Sequence, residues 1–267
     1  MGLALGGGGA LGLAHIGVLR VLEEHGFIPD IVAGTSIGAV MGAAYVFDKL
    51  DQVEAAARGV NWLEVMRLTD IQFGKSGGLL GGSAITKEVR KYIDDATFDE
   101  ADRPFAVVAA DLATDEEVTI RTGSVADGIR ASISIPGIFS PVARDGRLLI
   151  DGGLKNPVPV STCHDLGADV VIAVDVTGDY AGQAANAGIV SGEEFKGGIV
   201  EIVTTTMAMI MRQVAQGRFV TNPPDVLIVP KIGHVRPFAF GRGKELIAAG
   251  RDATAKAIGE IEAAMSG

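Results

Sequence analysis

The first feature of this chain that could carry chemistry is a serine flanked by glycines, Gly34-Thr35-Ser36-Ile37-Gly38. A short apolar stretch precedes it and a longer one follows, which predicts a strand, a sharp turn and a helix. Such a turn exposes a serine hydroxyl, and glycines two residues to either side remove Cβ atoms that would clash there. We therefore expect Ser36 to be a nucleophile on an elbow shaped by Gly34 and Gly38.

A second feature, Asp151-Gly152-Gly153, directly follows a predicted strand, where α/β sheets often build their sites. Asp151 could accept the proton of Ser36 in a dyad. A free aspartate has a pKa of ~3.9 and is a weak base for an alcohol, so Asp151 would have to be desolvated and close. A triad of Ser36, His234 and either Asp151 or Asp175 stays open.

The third feature is a run of glycines after the first predicted strand, at residues 6–9. Gly7, Gly9 and Gly12 satisfy the dinucleotide pattern G-x-G-x-x-G. That pattern also needs an acidic residue at the end of the second strand, where this chain has its serine elbow instead. A run of glycines at the start of a helix can instead present several backbone N–H groups to an anion, and a developing oxyanion is such an anion.

The elements that must position these residues alternate between strands and helices, which predicts a mostly parallel sheet covered by helices on both faces. His15 falls inside the first predicted helix, where a packed histidine is typical. We expect one domain over residues 1–267. Strands are predicted at residues 3–5, 31–33, 105–110, 118–121, 148–150, 170–176 and 226–229, and helices at 11–25, from 36 towards 50, and at 84–94, 124–132, 199–218 and 242–265. Residues 69–83 and 177–198 are Gly-rich and are typical of lids or surface connections.

Composition and charge exclude several classes of protein. The chain has 267 residues, 48% of them hydrophobic, and a net charge of −10, which argues against nucleic acid as a partner and against docking on anionic lipid by charge alone. The single cysteine, Cys163, excludes an internal disulfide and is expected to be buried. The N-terminal stretch lacks the basic start of a secretory signal. We expect a soluble, cytoplasmic chain, with peripheral membrane contact through apolar loops left open.

Four motifs in order across the first 160 residues resemble those of the patatin-like phospholipases. They are Gly7-Gly8-Gly9-Ala10-Leu11-Gly12 with the helix that follows, Gly34-Thr35-Ser36-Ile37-Gly38, Ser132-Ile133-Ser134-Ile135-Pro136-Gly137, and Asp151-Gly152-Gly153 with Asn156-Pro157-Val158-Pro159. The resemblance implies a three-layer α/β/α fold with a mostly parallel central sheet. It also implies a Ser/Asp dyad without a catalytic histidine, in which Ser36 is the nucleophile, Asp151 the base and Gly7–Gly9 the oxyanion hole.

The same resemblance implies a lipid or other acyl ester as substrate, and no metal or other cofactor. The glycine motif of the family usually carries Arg or Lys where this chain has Leu11. If that basic side chain meets lipid phosphate, Leu11 favours a neutral ester or a lysolipid. Expected walls for the acyl chain are Val40, Met41 and Ala44, the stretch 73–80, and the Met207–Met211 stripe, for which core filling is the commoner interpretation.

Three other functions share parts of this pattern. An acyltransferase would form the same acyl-Ser36 intermediate and pass the acyl group to an alcohol or thiol instead of water. A nucleotide-binding module would use the glycine run, and a regulatory member of the fold would have little turnover. Homo-oligomerisation stays open, because apolar loops can face a second copy as well as lipid; Trp62 and Leu63 are further candidates for lipid contact.

Overall fold

The computed structural model describes residues 1–59, 78–80, 82–179 and 198–267. Strands and helices alternate through much of these ranges, as predicted, but strands follow one another directly within residues 105–120 and 137–151. The strands are β1 Gly2–Leu5, β2 Ile31–Thr35, β3 Gly78–Leu80, β4 Phe105–Asp111, β5 Glu117–Ile120, β6 Gly137–Phe139, β7 Val142–Arg144, β8 Arg147–Asp151, β9 Val171–Val174 and β10 Val226–Ile228. The helices are α1 Ala14–Glu24, α2 Ile37–Val46, α3 Leu50–Gly59, α4 Ser83–Ile93, α5 Val125–Ser132, α6 Val160–Asp165, α7 Ile199–Thr221 and α8 Gly243–Ser266.

The central sheet has the strand order β10-β9-β1-β2-β4-β8-β7, and β5 also pairs with β4. The pairs from β10 to β4 are parallel, whereas β5 and β8 run antiparallel to β4, and β7 runs antiparallel to β8. The sheet is therefore mostly parallel, as predicted. A separate parallel pair joins β3 to β6.

Two hydrophobic cores lie on opposite faces of this sheet, because successive side chains of a strand point to opposite sides. Leu3 and Leu5 of β1 belong to the larger core with α1, α2 and α8, while Ala4 belongs to the smaller core with α6 and α7. Cys163 is buried in the smaller core, as predicted. The resulting order of helix, sheet and helix is the expected three-layer α/β/α architecture.

Two predicted helices differ from those observed. The stretch predicted as one helix over residues 11–25 begins as a 3-10 turn at Gly9–Leu13 and becomes α1 only at Ala14. The helix after Ser36 ends at Val46, because Asp48 adopts a φ of 55° that no α-helix continues, and α3 follows as a separate helix.

Some predicted features fall wholly or partly outside the described residues. These are Trp62 and Leu63, most of the stretch 69–83, of which residues 78–80 form β3, and residues 180–197 of the second Gly-rich stretch. Within the described ranges, no helix is both long enough and apolar enough to cross a membrane.

Candidate active site

The serine elbow is built by a strand, a strained turn and a helix, in the order that the sequence predicts. Ser36 follows β2 directly and precedes α2, with φ 55° and ψ −122°. A φ of 55° with a ψ of −122° lies outside the left-handed region that turns use, so it is strained for a non-glycine residue, and such strained residues cluster at functional sites. The backbone N–H of Ser36 donates to Ser132 Oγ at 2.7 Å, and that hydroxyl donates to the Val108 carbonyl at 2.5 Å, which holds the turn in place.

The two glycines of the elbow leave no room for a side chain. A Cβ at Gly34 would lie 2.5 Å from the Gly38 carbonyl oxygen, and a Cβ at Gly38 would lie 2.1 Å from the Leu5 carbonyl oxygen. Both distances are far below van der Waals contact. The close packing of α2 against β1 and β2 therefore depends on glycine at positions 34 and 38.

Strand register brings Asp151 to the serine. Val108 of β4 lies opposite Thr35 of β2, and the next residue, Ala109, lies opposite Asp151 of β8. Because β8 runs antiparallel to β4, its carboxyl end approaches Ser36 from the direction opposite to β2. Asp151 thus lies at the end of a strand and beside Ser36, which it reaches from a strand antiparallel to β4.

The Ser36 hydroxyl donates to Asp151 Oδ2 at 2.8 Å. The other carboxylate oxygen, Oδ1, accepts from the backbone N–H of Gly153 at 2.8 Å. Burial raises the pKa of Asp151 to about 6, and these two hydrogen bonds offset part of that rise. A carboxyl with this pKa is a stronger base than an exposed aspartate and is still mostly ionised at neutral pH.

The histidines and the second candidate acid have other partners. His15 Nε2 contacts the Gly6 carbonyl, and His234 Nε2 contacts Glu245 Oε1 at 2.6 Å on the surface. Asp175 is buried, and its Oδ1 accepts from the N–H and the hydroxyl of Thr177. The contacts of Ser36 therefore favour the dyad over the triad that the sequence leaves open.

Two N–H groups of the glycine run have no acceptor in the part of the chain that the structure describes. Gly7 donates its N–H to the Pro157 carbonyl at 2.9 Å, and Ala10 donates to the Pro237 carbonyl at 2.6 Å. Gly8 and Gly9 lie between them, line the cleft at Ser36, and donate to no acceptor within the described residues. Of the three glycines predicted to form an oxyanion hole, Gly8 and Gly9 thus have free donors, and Gly7 instead ties the run to the segment after Asp151.

A buried histidine, His15, holds the start of the glycine run. Its Nε2 donates to the Gly6 carbonyl oxygen at 2.8 Å, because a carbonyl can only accept. Burial lowers the pKa of His15 to about 4, so the ring is neutral at physiological pH. Together with the Gly7–Pro157 hydrogen bond, this contact fixes the Gly6–Gly7 peptide on both sides.

A mostly apolar cleft of about 500 Å³, part of it open to solvent, contains Ser36 and Asp151. Thr177 is the one other residue with a polar side chain in its described lining. The remaining lining residues are Gly8, Gly9, Leu11, Ile135, Met207, Ala208, Met211, Pro237 and Phe238. The cleft thus offers an apolar wall beside a hydroxyl and a carboxylate.

The predicted walls of the cleft are confirmed only in part. Met207 and Met211 of α7 line it, so this part of the Met stripe is more than core filling. Met41 and Ala44 are buried because α2 packs on β2 and β4, and neither they nor Val40 line the described cleft. Pro237 and Phe238 were missed, since nothing in their local sequence ties them to the glycine run. The concentration of basic and aromatic residues around them is the signal that could have singled out this segment.

Comparison with known proteins gives consistent matches. The family model for patatin-like phospholipases matches residues 3–164, which include Ser36, Asp151 and the glycine run. The chain is 38% identical over 185 residues to an uncharacterized NTE family protein of Mycobacterium tuberculosis, covering 69% of this chain and 51% of that protein. It is 34% identical over 181 residues to patatin-like phospholipase domain-containing protein 6 of Mus musculus, covering 65% of this chain and 13% of that protein.

Among solved structures, VipD from Legionella pneumophila matches 98% of this chain and 67% of its own, with a TM-score of 0.52 and 14% sequence identity. At that identity the match shows the fold alone. The chain spans about half the length of the mycobacterial relatives to which it is 38% identical.

Proposed function

The chain belongs to the patatin-like phospholipase family, and from that premise we propose that it is a serine-dependent hydrolase of lipid acyl esters. The reaction would be that of a carboxylic ester hydrolase of the EC 3.1.1 type, covering phospholipase A and lysophospholipase activity. The observation that carries the proposal is the 2.8 Å hydrogen bond from Ser36 Oγ to a buried carboxylate on a strained elbow.

In the first half-reaction, Ser36 Oγ forms a bond to the ester carbonyl carbon while its proton passes to Asp151 Oδ2. The tetrahedral intermediate then collapses, the bond to the leaving alcohol breaks, and Asp151 returns the proton to that alcohol. In the second half-reaction, water gives a proton to Asp151 and attacks the carbonyl carbon of the acyl-Ser36 ester. The bond from that carbon to Ser36 Oγ then breaks, Asp151 returns the proton to Ser36 Oγ, and the fatty acid is released.

The negative charge that develops on the carbonyl oxygen needs donors already in place. Gly8 and Gly9 line the same cleft as Ser36, their N–H groups have no acceptor among the described residues, and these N–H groups are the donors we assign to the oxyanion. The amino-terminal end of α2, which begins at Ile37, adds the positive end of a helix dipole beside the nucleophile. One such donor typically contributes about 3–4 kcal/mol to transition-state stabilisation.

The cleft lining supports a substrate with an apolar acyl chain and a weakly charged group near the ester. Met207, Met211 and Phe238 supply apolar surface for the chain. Leu11 is 1% exposed and lines the cleft, at the position where the resemblance to the family implies a basic side chain. We therefore propose a neutral ester or a lysolipid, rather than a diacyl lipid held by its phosphate.

The proposal is tested by fatty acid release from a lysophospholipid and by hydrolysis of short- and long-chain p-nitrophenyl esters. Wild type should hydrolyse both classes, Ser36→Ala should lose all turnover, and Ser266→Ala, a serine on the surface at the end of α8, should match wild type. Turnover that survives in Ser36→Ala would refute the proposal. Covalent labelling of Ser36 by a fluorophosphonate without any hydrolysis would favour the acyltransferase, and absence of both would favour the regulatory alternative.

A further inference from the structure

One methionine of α7, Met211, lies against both halves of the dyad. A Cβ added at Gly7 would lie 2.8 Å from Met211 Cε and 3.3 Å from Ser36 Cβ. A Cβ added at Gly153 would lie 2.5 Å from the same methyl carbon and 3.0 Å from Asp151 Oδ1. The end of the Met211 side chain therefore occupies the space that two glycines leave open, one beside the serine and one beside the carboxylate.

The carboxyl-terminal half of α7 holds this side chain in place. Met211 is 7% exposed, and Ala215, one turn further along, is buried in the smaller core. After another turn, Arg218 Nε donates to the Lys155 carbonyl at 3.0 Å, and its guanidinium pairs with Glu117. Met211, Ala215 and Arg218 share one face of the helix, because residues three and four positions apart lie above one another. Their contacts hold that face against the turn that follows the dyad carboxylate.

Met211 covers the Oδ1 side of the Asp151 carboxylate. Oδ2 accepts from the Ser36 hydroxyl, and Oδ1 accepts from the Gly153 N–H. A carboxylate oxygen can accept more than one hydrogen bond, so each would also bind water wherever solvent reached it. Beside Gly153 that place is taken by a thioether, which has no hydrogen to donate. Asp151 is accordingly 2% exposed although it lines the cleft.

Within the described residues, no charged side chain acts on Asp151. Burial raises its pKa, and the groups that offset this rise are the Gly153 N–H and the Ser36 hydroxyl. The charged side chains on the elements packed around it either have other partners or contribute nothing to this pKa; they are Arg130 on α5, Asp111 on β4, Arg147 on β8, and Arg212 and Arg218 on α7. The basicity of Asp151 therefore depends on what covers it rather than on a neighbouring charge.

We propose that Met211 is a positioning residue that keeps water from the Oδ1 side of Asp151 and so withholds from the carboxylate the solvent that would stabilise its charge. A smaller side chain, or one with N–H donors, would stabilise the ionised form and weaken the base. Met207, one turn earlier, lines the same cleft but is not among the nearest atoms at either glycine, so it supplies apolar surface alone. The kinetic part of this inference rests on the proposed hydrolase activity, whereas the protonation of Asp151 is measured without turnover.

The test follows the protonation of Asp151 by carbon-13 NMR of the aspartate side-chain carboxyls in wild type, Met211→Ala and Met211→Gln. The Asp151 signal is identified by its loss in Asp151→Asn. The alanine opens space for water, and the glutamine keeps the length of the side chain but brings N–H donors. The matched controls are Met211→Leu, which keeps an apolar side chain of similar volume, and Met207→Ala, which removes the same atoms from the same wall of the cleft.

We expect the pKa of Asp151, which burial raises to about 6, to fall by about one unit in Met211→Ala and Met211→Gln and to stay unchanged in the two controls. With a neutral p-nitrophenyl ester, the acidic limb of the kcat/KM profile should move to lower pH by the same amount. The plateau above that limb should fall, because a weaker base removes the serine proton less readily. A side chain that only supported the fold would lower the plateau and leave the limb in place.

An unchanged titration of Asp151 in Met211→Ala would overturn the proposal, as would a shift of the same size in Met207→Ala or Met211→Leu. Should Met211→Ala fail to fold, the same criterion applies to Met211→Gln. Absence of ester hydrolysis by wild type would count against the proposed function alone, since the titration of Asp151 needs no substrate and still decides whether Met211 shields it.

Discussion

Replacing Asp151 by Asn should raise the stability of the protein at neutral pH while it abolishes turnover. Asp151 is 2% exposed, and burial raises its pKa to about 6, with the Gly153 N–H and the Ser36 hydroxyl offsetting part of that rise. The ionised form is therefore less favourable in the folded chain than in the unfolded chain, where the carboxyl has its ordinary pKa of 3.8. A neutral amide of the same shape avoids this cost.

The magnitude follows from proton linkage. One pKa unit corresponds to about 1.4 kcal/mol, so a rise from 3.8 to about 6 makes the buried carboxylate cost about 3 kcal/mol once the pH exceeds both values. The folded state binds more protons than the unfolded state between these values, so the contribution of Asp151 to stability falls as pH rises. The free energy of unfolding of Asp151→Asn, relative to wild type, should therefore increase by about 2–3 kcal/mol from pH 4 to pH 8.

The assay is urea unfolding of both proteins at several pH values, with Asp111→Asn as a matched control. The hydrogen bond from the Ala113 N–H lowers the pKa of Asp111, and smaller contributions from Thr114 and Arg147 act in the same direction. The contribution of Asp111 to stability is therefore present at neutral pH and is lost as pH falls. The control should therefore show the opposite sign, with the variant least stable relative to wild type near pH 7. Parallel stability curves for Asp151→Asn and wild type across the pH range would refute the reasoning.

Three further predictions follow from the site. The value of kcat/KM for a neutral ester should rise with pH through an apparent pKa near 6, because Asp151 must be ionised to accept a proton, and His234→Ala should leave this profile unchanged. Assayed with the same ester, His15→Ala should lower kcat by about 10- to 100-fold with little change in KM, because it frees the Gly6 carbonyl and misplaces the oxyanion donors. His15→Gln should restore part of the rate. Equal losses in both variants would contradict this reasoning. Leu11→Arg should raise the rate on a phospholipid relative to a neutral ester in parallel assays, and an unchanged ratio would show that Leu11 does not select the substrate.

The parts of the site that sequence could predict are those with a local cause. The elbow around Ser36 needs two glycines, a strand and a helix, all within a few residues. The glycine run at residues 6–9 is likewise visible in the local sequence. Asp151 was also found, from the glycines beside it and the strand before it, although its position depends on an antiparallel register that no local pattern indicates.

What sequence could not predict depends on contacts between distant residues. The Gly7 N–H donates to the Pro157 carbonyl, and Pro237 packs against Gly9. Both contacts form only once the sheet and the later loops are assembled. Strand β7 was missed for another reason, because its three residues are too short for a clear alternation. The adjacent Asp145-Gly146, both with positive φ, is a hairpin signal that could have revealed it.

The most direct test of the dyad is the rate at which a fluorophosphonate labels the peptide that contains Ser36, followed by mass spectrometry of the intact and digested protein. The reaction needs an activated serine but no particular lipid, so it is independent of headgroup and chain length. We expect labelling in wild type and in His234→Ala at the same rate, and labelling at least ~100-fold slower in Asp151→Asn, because the general base is lost. Wild-type rates in Asp151→Asn, or loss of labelling in His234→Ala, would contradict the assignment of Asp151 as the base.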